Sequence, residues 1–239
     1  MIVKDISFAA PQENILYDDV LFSLAESGEA KEAIRFWESK QLFVVLGRIG
    51  NAHDDIHAGQ VRKDYIPVLR RSSGGGTVLQ GQGCLNYTFI LSKDRGRQIS
   101  DLRESYQFVL GLVVNALKEC NIQASFQPTS DLALNANQKK FSGNAQKRGR
   151  KFIMHHGTIL YNFDLTLIEK YLRMPKDMPA YRKERRHADF VTNIDVAVAP
   201  FKEKLAAAFG PAEFFYAVSP KENQKLQDFL KKNPCLVQL

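Results

Sequence analysis

A single long amphipathic helix set between two β-rich halves constrains this 239-residue chain more than any other feature. Residues 101–119, DLRESYQFVLGLVVNALKE, carry Leu102, Tyr106, Val109, Leu110, Val113, Val114 and Leu117 at helical spacing, which gives one apolar face. Ser100 or Asp101 can cap its start. Before it, AIRFWE and LFVVLGR read as strands about the turn SKQ, YIPVLR and GTVLQ as strands flanking a glycine run, and CLNYTFIL as a further strand. After it, ASFQP, DLALN, KKFSG and KFIMHHGTILYNF read the same way. Further helices are expected over 15–28, with Gly28 as a stop, and near 195–209 and 220–232. Clustered strands with interspersed helices argue against regular βαβ alternation. They predict an α+β fold, with a mixed, mostly antiparallel sheet flanked by helices.

Composition narrows the function classes. Hydrophobic residues are 44% and charged residues 25%, enough apolar surface for a sizeable core. No Pro/Gly/Ser-rich linker divides the chain, so residues 1–239 are expected to form one domain. No stretch is long and apolar enough for a membrane span, and MIVKDISFAAPQENIL is a poor signal peptide. Cys84, Cys120 and Cys235 are far apart and form no CxxC pair, which argues against a metal site or a disulfide framework and points to a reducing cytoplasm. Lys plus Arg number 33 and Asp plus Glu 26, a formal charge of +7 that calls for an anionic ligand or partner.

Three stretches could carry chemistry. In RRSSGGGTVLQ, residues 70–80, the glycines either form a hairpin turn or let a ligand approach the backbone beside Arg70 and Arg71. Neither GxxxxGK[ST] nor GxGxxG is present. Lys139 to Lys151 holds six basic residues and no acid, either a solvated face or an anion site around Lys140. It runs into His155 and His156, which must face opposite ways on a strand. In YRKERRHADFVTNI, residues 181–194, basic residues surround Glu184. The plain reading is a charged loop before a helix that starts near Asn193, with Thr192 or Asn193 as cap.

Taken in order, these words resemble the lipoate–protein ligase A family of the biotin/lipoate ligase superfamily. The matching stretches are Arg70-Arg71 with SGGGTV (73–78), GCLNYT (83–88), SDL (130–132), KKFSGNAQKR (139–148), HHGTIL (155–160) and YRKERRHADFVTNI. The resemblance runs from about residue 30 to about residue 195. It implies the biotin/lipoate ligase-like catalytic core and a two-step reaction: lipoate (or octanoate) and MgATP give acyl-adenylate, and the acyl group then passes to a lysine of a lipoyl domain. The acceptors it implies are the E2 of a 2-oxoacid dehydrogenase, the glycine cleavage H protein or similar, with no nucleic acid, membrane or bound metal of its own.

By the same resemblance Lys140 is the catalytic residue, contacting the acyl carbonyl and α-phosphate region. The acyl-adenylate site would comprise Arg70, Arg71, Ser73, Gly74, Gly75, Gly76, Asn86, Asp131, Ser142, Gly143, Ala145, His156, Gly157 and Thr158. Gln80 stands where some relatives have His, so no role is assigned there. About 45 residues follow FVTNI, too few for the accessory domain of long-form ligases, which implies a single-domain member or a separate accessory polypeptide. Two other functions stay open. One is a cysteine-dependent octanoyl or lipoyl transferase, for which Cys84 is the thiol nearest the glycine strand. The other is a non-catalytic basic nucleic-acid-binding protein, although aromatics are sparse in the basic run.

Overall fold

The computed structural model describes residues 1–232 and 235–239. In chain order the elements are β1 (Ile2–Asp5), α1 (Pro11–Glu26), β2 (Ala33–Trp37), β3 (Phe43–Leu46), α2 (Ala52–Asp55), α3 (Ala58–Lys63), β4 (Val68–Arg70), β5 (Val78–Gln80) and β6 (Cys84–Ser92). They continue as α4 (Arg97–Ser100), α5 (Leu102–Glu119), β7 (Ala124–Gln127), β8 (Asp131–Leu134), β9 (Lys140–Arg148) and β10 (Phe152–Leu160). The last are α6 (Thr166–Tyr171), α7 (His187–Phe190), α8 (Val198–Ala207), β11 (Glu213–Phe215) and α9 (Pro220–Lys232).

Eight strands form the main sheet in the order β11-β1-β2-β6-β10-β9-β8-β7. From β2 to β7 every pairing is antiparallel, and only β11-β1 and β1-β2 are parallel. One face packs on α5 and α8, through Val109, Leu110, Val113 and Leu117 against Tyr87, Phe89, Phe141 and Ile153. Asp101 caps α5 by accepting from the backbone N–H groups of Arg103 and Glu104. Leu102 departs from the expected face: at the helix start it is 54% exposed. The other face packs on α1, with α9 against it: Glu222 accepts from Tyr17 of α1 and from Lys4 of β1. α1 begins at Pro11, four residues before the expected start, and Gly28 lies just beyond its end with φ +78°.

The small sheet has the order β4-β3-β5. Two expectations change here. β2 and β3 do not pair with each other; the SKQ turn hands the chain from the large sheet to the small one. β4 and β5 do not pair either, because β3 lies between them, so the glycine run is a crossover past the end of β3 and not a hairpin turn. At the C-terminal third, residues 191–197 are not helical and α8 starts only at Val198. Asn193 is not its cap. Its side chain bonds both the N–H and the carbonyl of Phe163.

Candidate active site

Strand alternation sorts the chemistry of the main sheet onto two faces. His155 points to the α5 side, in contact with Tyr106 and Phe89 and bonded to Gln146. His156 points the other way, with Nε2 2.6 Å from Ser73 Oγ in the glycine loop. Burial pushes each imidazole down to about 3, so both are neutral. Arg71 Nε already donates to Ser73 Oγ at 3.1 Å, which leaves the serine hydroxyl to donate to neutral His156.

The two arginines of the motif are turned toward their own chain. Arg71 is 8% exposed and donates through Nη2 to the carbonyls of Gly74 and Gly76, both at 2.7 Å. Arg70 donates to the carbonyls of Gly47, Arg48 and Gly50. They shape two adjacent loops, and burial pushes Arg71 down to about 10. The three glycines also divide. Gly75 sits at φ +83°, where a Cβ would stand 3.0 Å from Arg71 Nη2 and 3.4 Å from Ala145 Cβ. A Cβ on Gly74 or Gly76 would meet nothing within 4 Å. Gly47 packs so closely on the Gly75 carbonyl that it has no room for a side chain.

On β9, a β-bulge sets the direction of Lys140. Asp131 pairs with Gly143 and Leu132 with Ser142, but Ala133 pairs with Lys140, leaving Phe141 as an extra residue. Phe141 and Ser142 are both buried, Phe141 among the α5-side apolar residues. Lys140 therefore joins the face of Gly143 and Ala145. Its Nζ lies 2.7 Å from Asp131 Oδ1, and a Cβ on Gly143 would come within 3.1 Å of that ammonium. Tyr181 donates its hydroxyl to Asp131 Oδ2 at 2.7 Å, while burial and the adjacent carboxylate push the phenol pKa up, so it stays a donor. The backbone of Lys140 accepts the N–H of Thr192, which ties the 181–194 stretch to the lysine.

Other expected residues brace this arrangement. Asn86, Gln80 and Thr158 form a closed polar triangle across β5, β6 and β10, which gives Gln80 a structural partner set. Gly157 leaves room for Tyr87 and Asn144 to bond each other. Asn144 in turn donates to Ser142 Oγ and to the Ser130 carbonyl. The 181–194 stretch is partly packed: Arg182 is 4% exposed and covers the Phe190 ring. Arg186 and His187 border a cleft of about 540 Å³ with Asp54, His57 and Arg173.

Sequence reading singled out neither Asp19 nor Gly47, and took Lys147 and Tyr181 only as members of KKFSGNAQKR and YRKERRHADFVTNI. The one available signal was the pair Asp18-Asp19 inside the apolar run of α1, where unpaired acids are disfavoured. Burial pushes the Cys84 thiol up within the core of the small sheet, and Cys235 up to about 12. Cys120 closes the C-terminus of α5. Among the described residues no cluster of three His, Cys, Asp or Glu could hold a metal, and no helix is long and apolar enough to cross a membrane.

Comparison with known proteins bears on the family and the fold. The sequence model of the lipoyl protein ligase A/B catalytic domain matches residues 10–210. A lipoate-protein ligase A of Bdellovibrio bacteriovorus is 25% identical over 230 residues, covering 95% of this chain and 65% of the relative. The human mitochondrial lipoyl amidotransferase LIPT1 is 34% identical over 149 residues, covering 62% of this chain and 37% of the relative. The chain thus spans 37–65% of the length of these two curated relatives. A solved lipoate-protein ligase A bound with ATP superposes with a TM-score of 0.78 at 20% identity, covering 96% of this chain and 94% of that one, which shows the shared fold. The chain belongs to the lipoyl protein ligase A/B catalytic domain family.

Proposed function

We propose that this chain is an ATP-dependent lipoate–protein ligase. A lipoate or octanoate carboxylate attacks the α-phosphate of MgATP, giving acyl-adenylate and releasing pyrophosphate. The amine of an acceptor lysine on a lipoyl domain then attacks the acyl carbon, forming the amide and releasing AMP. Mg2+ arrives on the nucleotide as part of the substrate. The observation that carries this reading is Lys140: an ammonium aimed by the bulge onto the face shared with the glycine loop, Ala145 and His156, and held by a 2.7 Å contact to Asp131. There it meets the charge that builds on the carbonyl and phosphate oxygens in both steps. Gly74 and Gly76 leave the room a ligand needs beside the loop, and Gly143 leaves room for the lysine. Arg70 and Arg71 contribute by fixing the loop rather than by reaching the anion themselves.

The similarity to a lipoyl amidotransferase favours one second reading, a lipoyl transferase. A thioester route through a cysteine of this chain is disfavoured by the raised thiol pKa of Cys84 and Cys235. One experiment separates these readings. The protein is mixed with lipoate and a lipoyl domain, with and without MgATP, and the acceptor is weighed by mass spectrometry. An acyl mass that requires ATP and persists after Cys84, Cys120 and Cys235 are replaced together by Ser supports the ligase. Transfer only from an acylated donor protein, or a thioester trapped on the chain, overturns it.

A further inference from the structure

α1 carries two consecutive buried acids, and the proposed chemistry uses neither of them. Asp18 is consumed by the sheet: it accepts from Arg35 Nη1 at 2.7 Å and from Thr88 Oγ1 at 2.8 Å. That fixes the helix on β2 and β6. Asp19, the next residue, is 7% exposed and makes contacts of a different kind. Its Oδ1 accepts from Ser72 Oγ at 2.5 Å and from Lys147 Nζ at 2.7 Å. Ser72 opens the glycine loop, directly after Arg71 and before Ser73. Lys147 stands on β9 on the same face as Ala145, whose Cβ would lie 3.4 Å from a Cβ added at Gly75. One carboxylate oxygen, on a helix anchored by its neighbour, therefore joins the two elements whose separation sets the width of the gap between Gly75 and Ala145.

These contacts are strong ones. A carboxylate acceptor makes charge-assisted hydrogen bonds, and partial burial keeps water from competing for them. They are also long-range, linking residue 19 to residues 72 and 147. A loop with three consecutive glycines has high conformational entropy when free, so a tether at its first residue restricts it most where restriction is needed.

We propose that Asp19 is a positioning residue: through Ser72 and Lys147 it clamps the glycine loop onto β9 and so sets affinity for the acyl acid. The inference rests on the ligase reading for its functional half only. The clamp itself is tested in ligand-free protein. Hydrogen exchange of the backbone amides of Arg48 and Arg71, which donate to the carbonyls of Ser73 and Leu46, should accelerate roughly tenfold in Asp19→Ala and in Ser72→Ala, the scale of one charge-assisted hydrogen bond. The double variant should exchange no faster than Asp19→Ala alone. Asp19→Asn, which keeps an acceptor for the Ser72 hydroxyl, should recover most of the protection. In ATP-dependent acylation, Asp19→Ala should raise KM for lipoate roughly tenfold, the fold-change that follows from the same lost bond, and leave kcat within about twofold.

Unchanged exchange at Arg48 and Arg71 in folded Ser72→Ala or Asp19→Ala overturns the clamp. Faster exchange with an unaltered lipoate KM, or with loss confined to kcat, overturns its role in acyl binding. If the parent protein shows no ATP-dependent acylation, the ligase reading fails while the exchange arm still decides the clamp. Should Asp19→Ala fail to fold, Ser72→Ala, at a half-buried surface residue, carries the same test.

Discussion

Gly75 and Gly76 are neighbours with opposite expected responses to the same methyl group. At Gly75 the φ of +83° costs an L-residue about 1–2 kcal/mol. The new Cβ would stand 3.0 Å from Arg71 Nη2, an atom held by the carbonyls of Gly74 and Gly76 at 2.7 Å each. The guanidinium cannot retreat without stretching those bonds, which adds about 1 kcal/mol. A total of about 2–3 kcal/mol lowers Tm by roughly 5–10 °C in a chain of this size. At Gly76 the φ is outside the left-handed region and nothing lies within 4 Å of the added Cβ. Gly76→Ala should therefore melt within about 2 °C of the parent, or slightly higher from the reduced entropy of the unfolded chain. Its methyl points into the space assigned to the ligand, so affinity for lipoate and for lipoyl-adenylate should fall. Thermal melts monitored by circular dichroism, with calorimetric titration of lipoate and of a non-hydrolysable adenylate, give both quantities for both variants. A Gly75→Ala protein that melts like the parent, or a Gly76→Ala protein that loses several degrees and no affinity, would refute the division of labour within the run.

Lys140→Ala should melt like the parent and lose roughly 10²–10³ in rate in both half-reactions, while Lys139→Ala keeps near-parent rates; pyrophosphate release and transfer from chemically prepared lipoyl-adenylate measure the two steps, and equal rates in the two variants would remove Lys140 from its role. Replacing all three cysteines by Ser should leave ATP-dependent acylation within about threefold, since the only energy removed is packing at the buried Cys84 and Cys235 and the half-buried Cys120; complete loss in a folded protein points to thiol chemistry. Stability should fall between pH 7 and pH 5: His155 and His156 are neutral at about 3 and above in the native state but protonate near 6.5 when unfolded, so the unfolded chain binds more protons as pH drops. The stabilisation is complete above about pH 6.5 and is lost progressively toward pH 3, and a Tm that stays flat from pH 7 to pH 5 would contradict the burial of both rings.

Local signals reached the page from sequence because local physics made them. The period of Val109, Leu110, Val113 and Leu117 forces α5, and Asp101 caps it for the reason its side chain suggests. The alternation through His155 and His156 places the two rings on opposite faces as a strand must. What stayed hidden depends on residues far apart in the chain. Arg70 and Arg71 are adjacent in sequence, but the carbonyls that hold Arg70 belong to a loop twenty or more residues away. The hairpin reading of the glycines fails because β3, more than twenty residues earlier, is inserted between the flanking strands. Tyr181 and Asp131 are fifty residues apart, and nothing in either stretch announces the other. Thr192 and Asn193 read as helix caps by composition, but Asn193 bonds the Phe163 backbone instead, and helix formation waits until Val198.

The extra residue at Phe141 makes the orientation of Lys140 a matter of counting. Downstream of the bulge, odd-numbered residues of β9 face the glycine loop; upstream, the parity is inverted, and even-numbered Lys140 faces it. Single-residue deletions in this strand are therefore not equivalent. Removing Phe141 takes away a fully buried wedge, yet a regular ladder from Ser142 still turns the lysine toward the loop. Removing Gly143 moves every upstream residue one place along, and Lys140 falls into the core-facing position that Phe141 now fills. A chain shortened by one residue keeps its charge on the working face in the first case and buries it in the second. Length variation in this strand among related sequences should accordingly concentrate at the bulge and be absent between it and Ala145.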